Sequence, residues 1–194
     1  MNDAALVEGV RGGHALAIAV FYERFRRRVW HVLHRLLGND PELSDAHHEA
    51  FERALRSIGG LRDTRRLESW LIGVAVFTAR SVIQRRVRRR WLLFMPPEKL
   101  PECHAVATSG ESSEAVRATS AVLEQLGADE RIAFVLRFVE GMELEEAAEL
   151  CRVSVSTFKR RLSRAEARFV ELARDSAVLC EWLEGGSRWG RNQR

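Results

Sequence analysis

The sequence predicts an all-α protein of two small helical lobes joined by a flexible linker, and three observations carry that prediction. Apolar residues recur at helical spacing in every long segment, and no stretch shows the strict alternation of a strand. A run with Pro96, Pro97 and Pro101, followed by Gly, Ser, Thr and Glu up to Glu114, divides the chain. The second half then ends in two helices separated by a tight turn, from Glu140 to Leu172. The organisation expected is a first lobe over Met1–Met95, a linker over Pro96–Glu114, a second lobe over Ala115–Arg174 and a tail over Asp175–Arg194.

In order, Gly9 to Gly13 reads as a bend between a short helix and a long one from His14 to Leu37. Ala17, Phe21, Phe25, Val29, Val32, Leu33 and Leu36 line one side of the long helix, and Gly38-Asn39 stops it. Asp40-Pro41-Glu42 reads as a new start, with a capping side chain and proline at the first helical position. That helix carries Leu43, Ala46, Ala50, Phe51, Ala54, Leu55 and Ile58, and ends before Gly59-Gly60. A polar loop, Gly59 to Arg65, leads to a third long helix from Arg66 to Trp91, apolar at Leu67, Trp70, Leu71 and Val74 and arginine-rich at its end.

The second lobe opens with a helix from Glu114 to Leu126, interrupted by Gly127. The next, Ala128 to Glu140, is expected to pack through Ile132, Val135, Leu136 and Val139. A short helix from Glu143 to Leu150 comes after it, presenting Leu144, Ala147 and Ala148, with Arg152 and Val153 as the turn. Ser154 can cap the last helix, whose Val155, Phe158, Leu162, Ala165, Phe169 and Leu172 are spaced 3, 4, 3, 4, 3. Beyond Asp175, Val178, Leu179, Trp182 and Leu183 suggest one or two more amphipathic turns before a disordered Gly- and Arg-rich end.

Ser156, Thr157, Lys159, Arg160, Arg161, Arg164 and Arg168 fall outside the apolar stripe of the last helix. A solvated charged face is the plain explanation for any one basic helix. Hydroxyls and cations crowding the N-terminal turns of the second helix of such a pair instead match a helix docked in the major groove. Charge supports an anionic partner: the net charge is +4. The first lobe holds 17 basic and 10 acidic residues, while the second lobe and tail balance at 13 of each. Arg85, Arg86, Arg88, Arg89 and Arg90 cannot all face one core, so several must meet water or phosphate. Trp70 and Phe77 share a helix side near those arginines, where aromatic rings either fill a core or stack unpaired bases. Asp45, Glu49 and Glu52 stand on one side of the second long helix, either as solvated charges or as partners for a basic protein surface.

Other classes find less support. Cys103, Cys151 and Cys180 lie too far apart for a paired-thiol motif, so neither a disulfide framework nor a zinc site is indicated. Asp3 and Glu8 argue against a signal peptide. The longest apolar run, Leu71 to Phe77, is too short for a bilayer, and a cytoplasmic location without membrane contact is expected. His31, His34, His47 and His48 on successive helices admit a two-helix metal site, with Asp45 and Glu49 as the nearby carboxylates. No phosphate loop, nucleophile elbow or His-Glu-x-x-His motif is present, so no catalysis and no cofactor are expected.

The run RFVEGMELEEAAELCRVSVSTFKRRLSRA resembles the end of bacterial RNA polymerase sigma factors of the extracytoplasmic-function group. FYERFRRRVWHVLHRLLGN, the order Asp45, Glu49, Phe51, and Ser69-Trp70-Leu71 extend the resemblance over about Ala15 to Leu172. It implies a promoter-specificity subunit with core RNA polymerase and promoter DNA as partners, and leaves room for an anti-sigma factor. The second lobe would bind the −35 element through Ser156, Thr157, Lys159, Arg160, Arg161 and Arg164, and the polymerase flap. The first would bind the −10 element through Trp70, Phe77, Arg85, Arg88 and Arg89, and the polymerase clamp through Asp45, His48, Glu49 and Glu52. The sequence departs from the family pattern at His48, where a glutamine is usual, at Phe77 and Ser81, where an asparagine and an acid are usual, and at Gly127 for proline. Thr157-Phe158-Lys159-Arg160-Arg161 replaces the usual Thr-Val-Lys-Ser-Arg. An autonomous helix-turn-helix regulator is the alternative, with a metal-dependent helical enzyme more distant.

Overall fold

The structure is a computed structural model that describes residues 2–38, 40–93 and 111–180, with side chains given to Arg89 and again from Glu114. Among the described residues every regular element is helical: α1 (Asp3–Arg11), α2 (Ala15–Leu37), α3 (Leu43–Ser57), α4 (Leu67–Leu93), α5 (Glu111–Gln125), α6 (Ala128–Phe134), α7 (Leu144–Leu150) and α8 (Val155–Ala173). The first four form one lobe and the last four the other. The linker between Pro96 and Gly110, Asn39, and the tail with Trp182 and Leu183 lie outside the described residues.

The apolar stripe of α2 is buried along its length, from Ala17 to Leu37. Gly38 ends the helix with φ of 75°, a left-handed conformation that glycine adopts without Cβ strain, and donates its N–H to the His34 carbonyl. The start of α3 differs from expectation. Asp40 Oδ1 accepts from the Glu42 N–H at 2.6 Å, but Pro41 sits in a turn and the helix begins at Leu43. Asp40 is buried, and Arg86 of α4 forms an ion pair with it. Glu42 in turn accepts from Arg89 at 2.8 Å and Arg85 at 3.4 Å. The start of α3 is thus fixed by three arginines of the run from which the sequence reading expected several to meet water or phosphate.

Central to the molecule is α4, which packs on α2 and α3 through one side and on α6 and α7 through the other. Two adjacent stripes make this feasible: Leu67, Leu71, Ala75 and Val82, then Ile72, Val76, Ala79 and Ile83, all buried. Thr78, also buried, donates its hydroxyl to the Val74 carbonyl at 2.9 Å, so no polar group is stranded there.

In the second lobe α5 begins at Glu111, earlier than expected, and α6 stops at Phe134. Val135–Val139 forms a π-helical turn, in which the Glu140 N–H donates to the Val135 carbonyl. The wider turn rotates the chain beyond it, so Val139 is exposed instead of packing with Ile132, Val135 and Leu136, and Met142 is buried in its stead. Leu179, beyond α8, is buried as the tail's apolar spacing suggests.

Candidate nucleic-acid interface

Ala147 and Ala148 bury the inner face of α7, their small side chains letting the helix lie close to its neighbours. Its end is a complete Schellman turn: the Arg152 N–H donates to the Glu149 carbonyl at 2.9 Å and the Val153 N–H to that of Ala148 at 3.0 Å. Arg152 takes the left-handed position, φ 54°, usually given to glycine or asparagine. Ser154 then caps α8, its Oγ accepting from the Thr157 N–H at 3.2 Å. Phe158, Leu162, Ala165 and Phe169 bury the inner stripe of α8, while Phe169 stacks on Phe134 at 4.6 Å.

That burial turns Ser156, Lys159, Arg160 and Arg164 outward, all exposed, with Thr157 half-buried beside them. Arg161 is different. Its Nη2 lies 2.9 Å from Asp129, which Arg80 of α4 also holds at 2.9 Å. Next to it, Cys151 has its thiol pushed up to about 11, chiefly by burial, and stays protonated.

The aromatic pair on α4 splits. Trp70 is half-buried and packed against the core, lining a cleft of about 330 Å³ with Arg62 and Arg66. Phe77 is 51% exposed, under the Arg53 guanidinium at 5.7 Å, and so is no core residue. Arg88 is exposed, whereas Arg85 and Arg89 are engaged with Glu42.

On α3, Asp45 and His48 are exposed, Glu52 pairs with Arg56 at 2.6 Å, and Glu49 pairs with Arg53 at 2.6 Å. Sequence reasoning missed their surroundings. His48 lines a groove of about 580 Å³ with Arg27, Trp30 and His31 of α2. Trp30 directly follows the buried Val29, and a large aromatic just off a buried stripe is the signal that marks it.

Neighbouring His47 is buried, its Nε2–H donating to the Arg26 carbonyl at 3.0 Å, with Phe51 and Trp30 at 5.2 and 5.5 Å. Desolvation lowers its pKa, against the bond to Arg26, while the charges of His48 and Arg26 lower it further. The unfolded chain, whose histidine titrates near 6.5, therefore takes up a proton first. Stability is full above that pH and declines as the pH falls through it. Thermal melts on either side of this value are expected to show a smaller acid-induced drop in His47→Gln than in wild type; equal drops would reject it. Among the described residues no group of three His, Cys, Asp or Glu could hold a metal ion.

Residues 21–92 match the family model described as Sigma-70 region 2, and residues 117–169 match that described as Sigma-70, region 4. The chain is 28% identical over 180 residues to the ECF RNA polymerase sigma-E factor of Haemophilus influenzae, covering 85% of this chain and 92% of that protein. With the RNA polymerase sigma-H factor of Pseudomonas aeruginosa it shares 25% identity, over 84% of this chain and 90% of the other. Among solved structures, CnrH in complex with the cytosolic domain of CnrY shares the fold at TM-score 0.59 and 17% identity, covering 90% of this chain and 99% of that one. The sigma factor RpoE in complex with the anti-sigma factor NepR, from Bartonella quintana, does so at TM-score 0.60 and 20% identity, covering 80% and 95%.

Proposed function

Because this chain belongs to the extracytoplasmic-function group of RNA polymerase sigma factors, and so directs core RNA polymerase to promoter DNA, we propose that its two lobes divide the reading of the promoter. The observation that carries the reading is the outward basic face of α8 behind a Schellman turn and a serine cap. Ser156, Thr157, Lys159, Arg160 and Arg164 read and grip the −35 duplex, and Arg161 joins them once it leaves Asp129. Trp70, Phe77 and Arg88 serve the −10 element, with Arg85 and Arg89 in support from their pairs with Glu42. Asp45, His48, Glu49 and Glu52 face the polymerase clamp, and the groove beside Trp30 extends that patch. The protein works in the cytoplasm, without catalysis of its own, and an anti-sigma factor of the kind bound to RpoE is the negative regulator we assign to it. A freestanding helix-turn-helix regulator would leave the match of the first lobe to region 2 without a purpose.

The −10 contact has a testable peculiarity. An asparagine can hydrogen-bond a base edge and refuse wrong bases, whereas the exposed ring of Phe77 can only stack, and every base offers a face. Flipping a base costs a few kcal/mol, so losing edge contacts removes selectivity before it removes binding. Wild-type holoenzyme is expected to open promoters with relaxed −10 preference. Phe77→Asn should sharpen it, read with a fluorescent base analogue across substituted −10 elements. Identical preference in variant and wild type would reject the stacking role. Failure of wild-type protein with core polymerase to initiate on any promoter library would reject the whole assignment.

A further inference from the structure

We infer that Arg11, at the end of α1, is a positioning residue for promoter opening: its guanidinium fixes the loop that walls the cleft beside Trp70. The inference rests on the assignment of Trp70 to the −10 element. The loop runs from Gly59 to Arg66 and contains two 3₁₀ turns, Ile58–Gly60 and Thr64–Arg66, with a buried Leu61 between them. Gly60, Leu61, Arg62 and Asp63 form one wall of the cleft of about 330 Å³ that Trp70 lines from α4.

The wall's own hydrogen bonds are local. The Leu61 N–H donates to the Ile58 carbonyl and the Arg66 N–H to that of Asp63, both at 3.1 Å. The Asp63 carboxylate accepts from the Arg65 N–H at 3.1 Å. Each bond closes a single turn, so none sets where the wall stands against Trp70. Burial of Ile58 and Leu61 holds the loop down, but the hydrophobic effect has no direction. Gly59 and Gly60 lie in open space, where a Cβ built on either would meet nothing within 4 Å, so this turn has the most backbone freedom to lose.

Arg11 supplies the missing direction. Its Nε donates to the Ile58 carbonyl at 3.4 Å and its Nη2 to the Leu61 carbonyl at 2.5 Å, across 47 and 50 residues of chain. Its Nη1 donates to Glu8 Oε1 at 2.6 Å, so all three nitrogens are engaged. One edge of a rigid, planar fork therefore spans both ends of the glycine turn, and a lysine ammonium has no such edge. The platform under the fork is itself fixed. Leu6 and Val7 of α1 are fully buried, the Asn2 side chain caps the helix, and Asp3 pairs with Arg24 of α2 at 2.7 Å. Lifting a base out of a duplex costs a few kcal/mol, which contacts in the receiving cleft must return. A wall that drifts returns less, so the loss of Arg11 falls on opening and not on the other contacts with promoter or polymerase.

The test uses holoenzymes carrying Arg11→Ala and Arg11→Lys. Opening at saturating holoenzyme is read with a fluorescent base analogue in the −10 element, beside the concentration for half-maximal promoter binding and the affinity for core polymerase. Both variants are expected to open about tenfold less, with half-maximal binding and core affinity unchanged. Amide hydrogen exchange on the free chains should quicken over residues 60–66 and stay the same in α2 and α4. Glu8→Gln weakens the orienting partner but keeps the fork, and should fall between wild type and Arg11→Ala. Wild-type opening restored by Arg11→Lys would show that charge suffices and would overturn the inference. Unchanged exchange in the loop, or core affinity lost in step with opening, would overturn it as well. Trp70→Ala separates this failure from that of the −10 reading. If it opens promoters normally, the −10 reading falls and takes the inference with it; if it fails to open them while Arg11→Ala is normal, only the role of Arg11 falls.

Discussion

Truncating Phe158 to alanine is expected to cost about 3–5 kcal/mol and to abolish promoter-directed transcription. Phe158 is fully buried on the inner stripe of α8, one turn after the Ser154 cap, where α8 packs on α6 and α7. The cavity left by a phenyl ring between packed helices is only partly filled by relaxation around it, so the loss of the ring is felt almost in full. Domains are stable by only about 5–15 kcal/mol, so the loss removes a large part of what orients the outward face. A thermal melt by circular dichroism should move down by at least about 12 °C. A fall below about 5 °C would mean the site collapses and the packing argument is wrong.

Removal of Arg160 or Arg164 should act without touching stability, since both side chains are exposed. An arginine that meets a guanine edge is worth about 1–3 kcal/mol of discrimination, roughly a factor of 5 to 150 between right and wrong base. One that meets phosphate lowers affinity evenly and flattens the salt dependence by about one contact. Holoenzyme bound to a panel of substituted −35 elements separates these outcomes. At least one of Arg160→Ala and Arg164→Ala is expected to change preference. Unchanged preference and unchanged affinity in both would remove α8 from the interface.

Much of the fold was legible because helices announce themselves locally. The 3, 4, 3, 4, 3 spacing from Val155 to Leu172 marks the inner face of α8, and with it the outward residues, from sequence alone. Val139 shows where local reading fails. A π-helical turn leaves no mark on apolar periodicity until the register has already slipped. The arginine run failed for another reason: Arg86 is held by Asp40, and Arg85 and Arg89 by Glu42, across more than forty residues of chain. Charge counting sees a basic helix end, but only the packing of α4 on α3 shows which cations are already engaged. Phe77 could be placed on a helix side, yet its exposure beneath the Arg53 guanidinium follows from how α3 and α4 pack, not from its own neighbours in sequence. The ion pairs of Glu140 with Arg28 and Arg35, and of Asp129 with Arg80, were beyond reach altogether, since they join segments that no periodicity connects.

The separation of the two faces of α8 makes the reading head proposed for it exchangeable. Phe158, Leu162, Ala165 and Phe169 are buried and hold the helix from behind, while Ser156, Lys159, Arg160 and Arg164 are exposed on its other side. Transplanting only those outward positions from a relative with another promoter preference should carry the preference across and leave the folding of the lobe unaltered. Arg161 marks the limit of the graft. Tied to Asp129 and through it to Arg80, it belongs to the scaffold as much as to the reading head, and an exchange that includes it would alter how the lobes meet.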